Sequence, residues 1–362
     1  MSAAERTLSG KRLSEIDILR GFAMLAVVAI HVSNVPMASF GEGRSYFLVY
    51  MFNSFINFAV PMFVLISAMM AALSADSRPL HVIEYYKKKF IRLGLPYLLW
   101  SLIYILFNIV SHRVRMPDIL SWKNWIGWIL QGRAYEHLYF LAIILQFHLL
   151  FPLLIKLARL VKDKPFWAFF IAVGGQNVVY WLNKLWIYER LTYFYSSIIG
   201  YFGIVFLGLY LGLNYEKVTA WLRKNTKWLA VFCLISAVAF LFYRYLLHEE
   251  IRFHSYPYSF IRLFFVTSLP LCLLAPAQNP RFKEGWAGRG LLWVGRYTLG
   301  IYLAHPVLNF FLRRWVKTAN IVVWFFICAA AVIAYTIICG YMTKFLEKFK
   351  LTAWIVGTKP NP

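Results

Sequence analysis

Glu15-Ile-Asp17-Ile-Leu-Arg20-Gly21-Phe-Ala-Met-Leu-Ala-Val-Val-Ala-Ile-His31 carries charge where a lipid-buried helix should carry none. The apolar run is long enough for a membrane-crossing helix. Charged groups inside such a span are costly and mark function, unless a helix end lets them snorkel to the surface. At 100° and 1.5 Å per residue, Arg20 and His31 differ by about 20° in direction and ~16 Å in height. Asp17 lies about 40° from His31, on the same face. One stripe thus holds a carboxylate and a guanidinium near one end and an imidazole toward the other. The competing reading is a set of satisfied polar groups that join helices.

Similar apolar runs recur along the chain, at about 16–35, 46–74, 89–111, 138–158, 166–183, 194–213, 228–247, 258–277, 291–312 and 320–345. These predict an all-α, polytopic membrane helix bundle of about ten transmembrane helices. The second is long enough to tilt or to break at Pro61. Of the 362 residues 61% are hydrophobic and 15% charged, more apolar surface than a soluble domain of this length could hide. The organisation expected is a tail at 1–15, a transmembrane domain at 16–345 and a second tail at 346–362. Residues 1–15 lead into a charged apolar segment, so a retained cytoplasmic tail is expected rather than a cleaved signal.

The net charge of +23 raises the possibility of a nucleic-acid partner. Its distribution argues otherwise. With the N-terminus inside, 22 of the 38 Lys and Arg fall in inner segments, 12 in outer loops and 4 within spans. This asymmetry follows the positive-inside rule and predicts that both termini are cytoplasmic. Trp122, Trp125 and Trp128 predict a short amphipathic helix in the outer interface. Cys233, Cys272, Cys328 and Cys339 sit in apolar runs without zinc spacing and read as small buried hydrophobes.

Further ionisable groups sort by depth. The third span opens Lys87-Lys-Lys89-Phe-Ile-Arg92-Leu-Gly-Leu-Pro96-Tyr97, a cationic cluster at its cytoplasmic end. With Arg20 it predicts a pocket for a phosphorylated ligand, because guanidinium groups give phosphate paired donors. The ninth span reads Gly295-Arg-Tyr-Thr-Leu-Gly300-Ile-Tyr302-Leu-Ala-His305-Pro306 and places His305 near the depth of His31. Tyr302 is one turn below on the same face. The fourth span begins Glu136-His137-Leu-Tyr139, which places His137 at the outer surface. None of these histidines shows a helical metal-binding spacing, so no metal is expected.

These residues resemble the acyltransferase-3 family of bacterial membrane proteins, along nearly the whole chain. The first-helix pattern of Arg, ten residues and His is matched by Arg20 and His31, with Asp17 before it. The basic motif before a proline in the third helix is matched by Arg92 and Pro96. Lys89 stands where the family has its first Arg. Phe58-Ala-Val-Pro61-Met-Phe63-Val-Leu-Ile-Ser67, His137-Leu-Tyr139-Phe-Leu and Ile301-Tyr302-Leu-Ala-His305 complete the resemblance, with Ala68 and Tyr139 departing from the usual Gly and Trp.

The resemblance implies a cell-membrane enzyme that takes an acyl group from cytoplasmic acyl-coenzyme A, acetyl-coenzyme A foremost. The group would pass to an exported acceptor such as a surface glycan. It implies His31 as the catalytic residue; Asp17 or a neighbouring helix would orient the site. Arg20, Lys89 and Arg92 would bind the donor's phosphates, and His137, Tyr302 and His305 would hold substrate. Membrane lipid is the surrounding partner and nucleic acid is not one. The rival reading is a transporter or exporter of a glycan or lipid-linked sugar. Missing inverted repeats count against it.

Overall fold

The computed structural model describes residues 13–35, 40, 43–77, 79–114, 116–187, 196–251, 255–316, 318 and 320–357. The expected N-terminal tail lies outside the described residues as far as residue 12, as do the last five residues of the expected C-terminal tail. Every regular element among the described residues is a helix. Seven helical stretches are long and apolar enough to cross a membrane.

The crossing stretches are assembled from α1 (Ser14–Ser33), α2 (Arg44–Ile56) with α3 (Ala59–Ser77), and α4 (Val82–Lys89) with α5 (Leu95–Val110). The amphipathic α6 (Trp122–Leu130) follows, then the crossing helix α7 (Tyr139–Leu160). The remaining expected spans correspond to α8 (Pro165–Leu182), α9 (Phe202–Leu213), α10 (Tyr215–His248), α11 (Ser255–Ala277), α12 (Trp286–Arg296) with α13 (Thr298–Trp315), and α14 (Ile321–Leu346). Of these, α10, α11 and α14 belong to the seven. The segment containing α9 is apolar but shorter.

Proline chemistry explains two breaks. Pro61 cannot donate to the Asn57 carbonyl, and its ring crowds that carbonyl, so the long second stretch breaks at Asn57–Phe58. Pro96 stands in the same relation to Arg92, and there the chain widens into a π-helical turn over Phe90–Gly94. The basic motif is therefore not regular helix.

Two sequence expectations need correction. The stretch expected as one span at 291–312 is two helices separated at Tyr297, where Thr298 Oγ1 donates to the carbonyls of Val294 and Gly295. The inner connection expected before the span at 228–247 is itself helical. It joins that span through a kink at Asn225, whose φ of −110° and ψ of 17° leave the helical region.

The bundle is built around α1. It packs against α2, α3, α11, α12, α13 and α14, and Ala23, Met24, Val28 and Val32 are sealed from solvent. Contact with α12 requires small residues, since a Cβ on Gly21 would overlap the Leu291 carbonyl and one on Gly295 the Asp17 carbonyl. Large apolar side chains face outward on the peripheral helices, including Leu149 and Leu153 of α7, Phe166 of α8 and Phe326 of α14. That arrangement is stable against hydrocarbon rather than water.

Candidate active site

The tight α1–α12 contact fixes the lower end of the polar stripe. Asp17 is 4% exposed and accepts from Arg20 Nη1 at 3.3 Å, one helical turn away. The structure thus couples Asp17 to Arg20, while His31 sits at the opposite end of the same helix.

Arg20, Lys89 and Arg92, predicted from three separate positions to share one ligand, line a single cavity of about 550 Å³. Lys88 and Arg296 add two more cations to its wall. The carboxylate of Glu84 also lines it, paired with Lys88 at 3.3 Å. The π-helical turn carries Arg92 into the wall, and the C-terminal segment closes one side. Trp100 Nε1 donates to the Ile355 carbonyl at 3.0 Å, Ala353 and Val356 are buried, and Gly357 reaches the cavity. Farther in, the wall turns apolar and aromatic. Nearer the mouth, with Lys89 over the Tyr85 ring, Tyr85 and His148, a pair that sequence reasoning missed, meet through the Tyr85 hydroxyl and His148 Nδ1 at 2.6 Å.

His31 and His305, expected at one depth, meet, and His137, expected at the outer surface, is buried with them. Ring centroids of His31 and His305 are 5.1 Å apart, those of His137 and His305 5.8 Å, and those of His31 and His137 6.4 Å. His305 and His137 are fully enclosed, whereas His31 is partly open. His305 Nδ1 lies 3.0 Å from the Ile301 carbonyl, which can only accept, so this nitrogen carries the proton. The lone pair is then on Nε2, which is buried without a hydrogen-bond partner. Tyr302 links this chamber to the cavity below, since its ring lines the cavity and its hydroxyl donates to the His137 carbonyl.

Three further residues escaped the sequence reading. Asn309 is 3% exposed and donates through Nδ2 to the His31 carbonyl at 2.9 Å, while its Oδ1 is buried without a partner. Arg313 forms a bidentate pair with Glu136, at 2.9 and 3.1 Å, beside the chamber. The signal was present. His305, Asn309 and Arg313 are spaced i, i+4, i+8, and so extend one face of α13 beyond the motif that ends at Pro306. Among the described residues no group of three or more His, Cys, Asp or Glu is arranged to hold a metal ion.

The chain belongs to the acyltransferase-3 family. The family model, described as an acyltransferase domain, matches residues 13–340. Among curated proteins the chain is similar to a probable poly-beta-1,6-N-acetyl-D-glucosamine export protein of Staphylococcus epidermidis. The two are 24% identical over 365 aligned positions, covering 97% of this chain and 96% of that protein. A protein of the same name from Staphylococcus aureus (strain MRSA252) is 22% identical over 332 positions, 88% of each chain. No solved structure matches significantly.

Proposed function

We propose that this acyltransferase moves an acyl group, acetyl foremost, from cytoplasmic acyl-coenzyme A to a hydroxyl of an exported glycan at the cell membrane. The reading takes the chain as ten crossings with both termini in the cytoplasm. The observation that carries it is the cavity itself: five cations line it, and its far wall ends at Tyr302, which adjoins the His31–His137–His305 chamber.

Coenzyme A is polyanionic at one end and flexible toward its thiol. Arg20, Lys89 and Arg92 bind its phosphates, with Asp17 acting through Arg20 as a positioning residue. The arm then runs along the apolar wall toward Tyr302, and the ~16 Å between Arg20 and His31 along α1 is within its reach. In the chamber His31 takes the proton from the acceptor hydroxyl as that oxygen attacks the thioester carbonyl. The carbon–sulfur bond breaks and the departing thiolate recovers the proton from His31. The products are an acyl ester and free coenzyme A. The lone pair of His305 Nε2 and the unpartnered Oδ1 of Asn309 suit a ligand that donates hydrogen bonds, as sugar hydroxyls do.

The test is acyl transfer per folded molecule in nanodiscs, with donor binding measured on the same preparation. His31→Gln keeps a hydrogen bond but cannot act as base. It is expected to lower turnover by a factor of ~10² to 10⁴ with donor affinity near that of the wild type. Substantial turnover by folded His31→Gln would remove the mechanism. The names of the relatives favour a second reading, glycan export. Consumption of acyl-coenzyme A by purified protein without a gradient separates the two.

A further inference from the structure

The inner cavity is bounded at its far end in the same way by three helices. On α3 the lining runs from Ala75 near the basic mouth to Phe63, and on α7 from Phe151 to Phe140. On α13 it runs from Thr298 to Tyr302. In each case the lining residue farthest from the cations is an aromatic ring. Twelve residues along α3 and eleven along α7 make the cavity about 16–18 Å deep. The three rings touch, with Phe63 and Phe140 centroids 5.7 Å apart and Phe140 and Tyr302 centroids 5.5 Å apart. Beyond them lies the chamber, His137 being 5.0 Å from Tyr302.

This end wall is stiff. Phe63 and Phe140 are 7% and 8% exposed, and the hydrogen bond from the Tyr302 hydroxyl to the His137 carbonyl holds the third ring in place. A donor anchored by its phosphates at the mouth must pass its acyl group between these rings to bring the thioester carbonyl to the chamber. Close-packed rings do not yield to added methylenes without strain.

We propose that Phe63, Phe140 and Tyr302 form a ring that sets the acyl chain length the protein accepts, restricting it to short groups. The proposal rests on the reading of the cavity as the donor site, and it names the residues that select among donors. Substitutions that shrink the ring should admit longer chains, whereas an enlarged ring residue should exclude them more strongly.

The test is calorimetric binding of coenzyme A and of its unreactive S-ethyl and S-hexyl thioethers to the full-length protein in nanodiscs. Wild type is expected to bind the S-ethyl compound at least ~10-fold more tightly than the S-hexyl, the scale on which a pocket discriminates added methylenes. Phe63→Leu and Phe140→Leu should bring that ratio close to one, and Phe63→Trp should raise it. Tyr302→Phe, which keeps the ring but loses the hydrogen bond that holds it, should lower the ratio by less than either leucine variant. Melting temperatures identify any variant that has not folded, and the wild-type and Phe63→Trp ratios test the ring without removing any volume. A wild-type ratio near one, or a ratio unchanged in both leucine variants, overturns the proposal while leaving the donor site standing. If coenzyme A itself does not bind wild type, the donor reading fails and the ring falls with it.

Discussion

Arg20→Gln separates a binding role for the inner end of α1 from a structural one. The substitution removes a guanidinium that lines the cavity and also faces the buried carboxylate of Asp17 at 3.3 Å. Losing one charged hydrogen bond to a donor phosphate costs about 1.5–3 kcal/mol, roughly a 10- to 100-fold rise in Kd for acyl-coenzyme A. A stability cost accompanies it, because Asp17 is only 5% exposed in its side chain. Breaking a fully buried pair costs about 3–5 kcal/mol. Here the Arg20 side chain is 36% exposed, so water screens the pair and the loss should fall below that range. The two effects can be uncoupled. Asp17→Asn in the Arg20→Gln background removes the buried charge and should recover part of the lost melting temperature, while donor affinity stays low. The assay is calorimetric titration of acyl-coenzyme A beside thermal unfolding, on wild type, both single variants and the double variant. Recovery of affinity together with stability in the double variant would refute the argument, since Arg20 would then act only by holding the helix end.

Other perturbations address other parts of the molecule. Gly357 has a φ of +67°, and a Cβ there would lie 2.6 Å from the Arg92 carbonyl. Gly357→Val should therefore displace the C-terminal segment at a cost of roughly 1–3 kcal/mol, measured as earlier proteolysis of that segment and weaker donor binding. Glu136→Gln breaks the bidentate pair with Arg313, whose partners are 33% and 48% exposed, so stability should change by less than ~1 kcal/mol. Its effect should appear in the KM for the acceptor, with donor affinity unchanged, and a purely structural pair would leave both constants alone. For topology, cysteines introduced at Lys162 and Lys224 should resist an impermeant thiol reagent applied outside intact cells, whereas one at Lys123 should react. The opposite labelling pattern would invert the assignment of donor and acceptor sides.

The helical periodicity of α1 made its polar stripe legible because one helix fixes the relative direction and height of its own residues. The meeting of Arg20 with Lys89 and Arg92 was legible for a related reason, since all three lie near helix ends on one side of the bundle. The meeting of His31 and His305 followed from the same depth argument, which placed His137 at the outer surface rather than buried beside them. Features that depend on contact between helices were less accessible. Asp17 meets Arg20 three residues along the same helix, a spacing that the sequence already carried, whereas the close approach of α12 to α1 at Gly21 and Gly295 was not readable from either helix alone. The π-helical turn at Phe90–Gly94 and the break at Tyr297 depend on local backbone geometry that hydropathy averages away. The C-terminal segment read only as a tail; in the structure Ala353 and Val356 are buried and Trp100 donates to the Ile355 carbonyl.

The division into two compartments has an energetic logic under the proposed function. Moving the phosphates of coenzyme A through hydrocarbon would require several uncompensated charges at once, each costing kilocalories even by the more lenient insertion scales. Moving a glycan the other way would strip many hydroxyl groups of their hydrogen bonds. A short acyl group has neither liability, and it is the only part of either substrate that has to pass the aromatic rings of Phe63, Phe140 and Tyr302. The cations can therefore stay at one end of the bundle, where Arg20, Lys89 and Arg92 are found. The hydrogen-bonding groups can stay at the other, where Asn309 holds the backbone of His31 and Arg313 holds Glu136. Between these ends the protein needs only an apolar passage matched to the size of the acyl group.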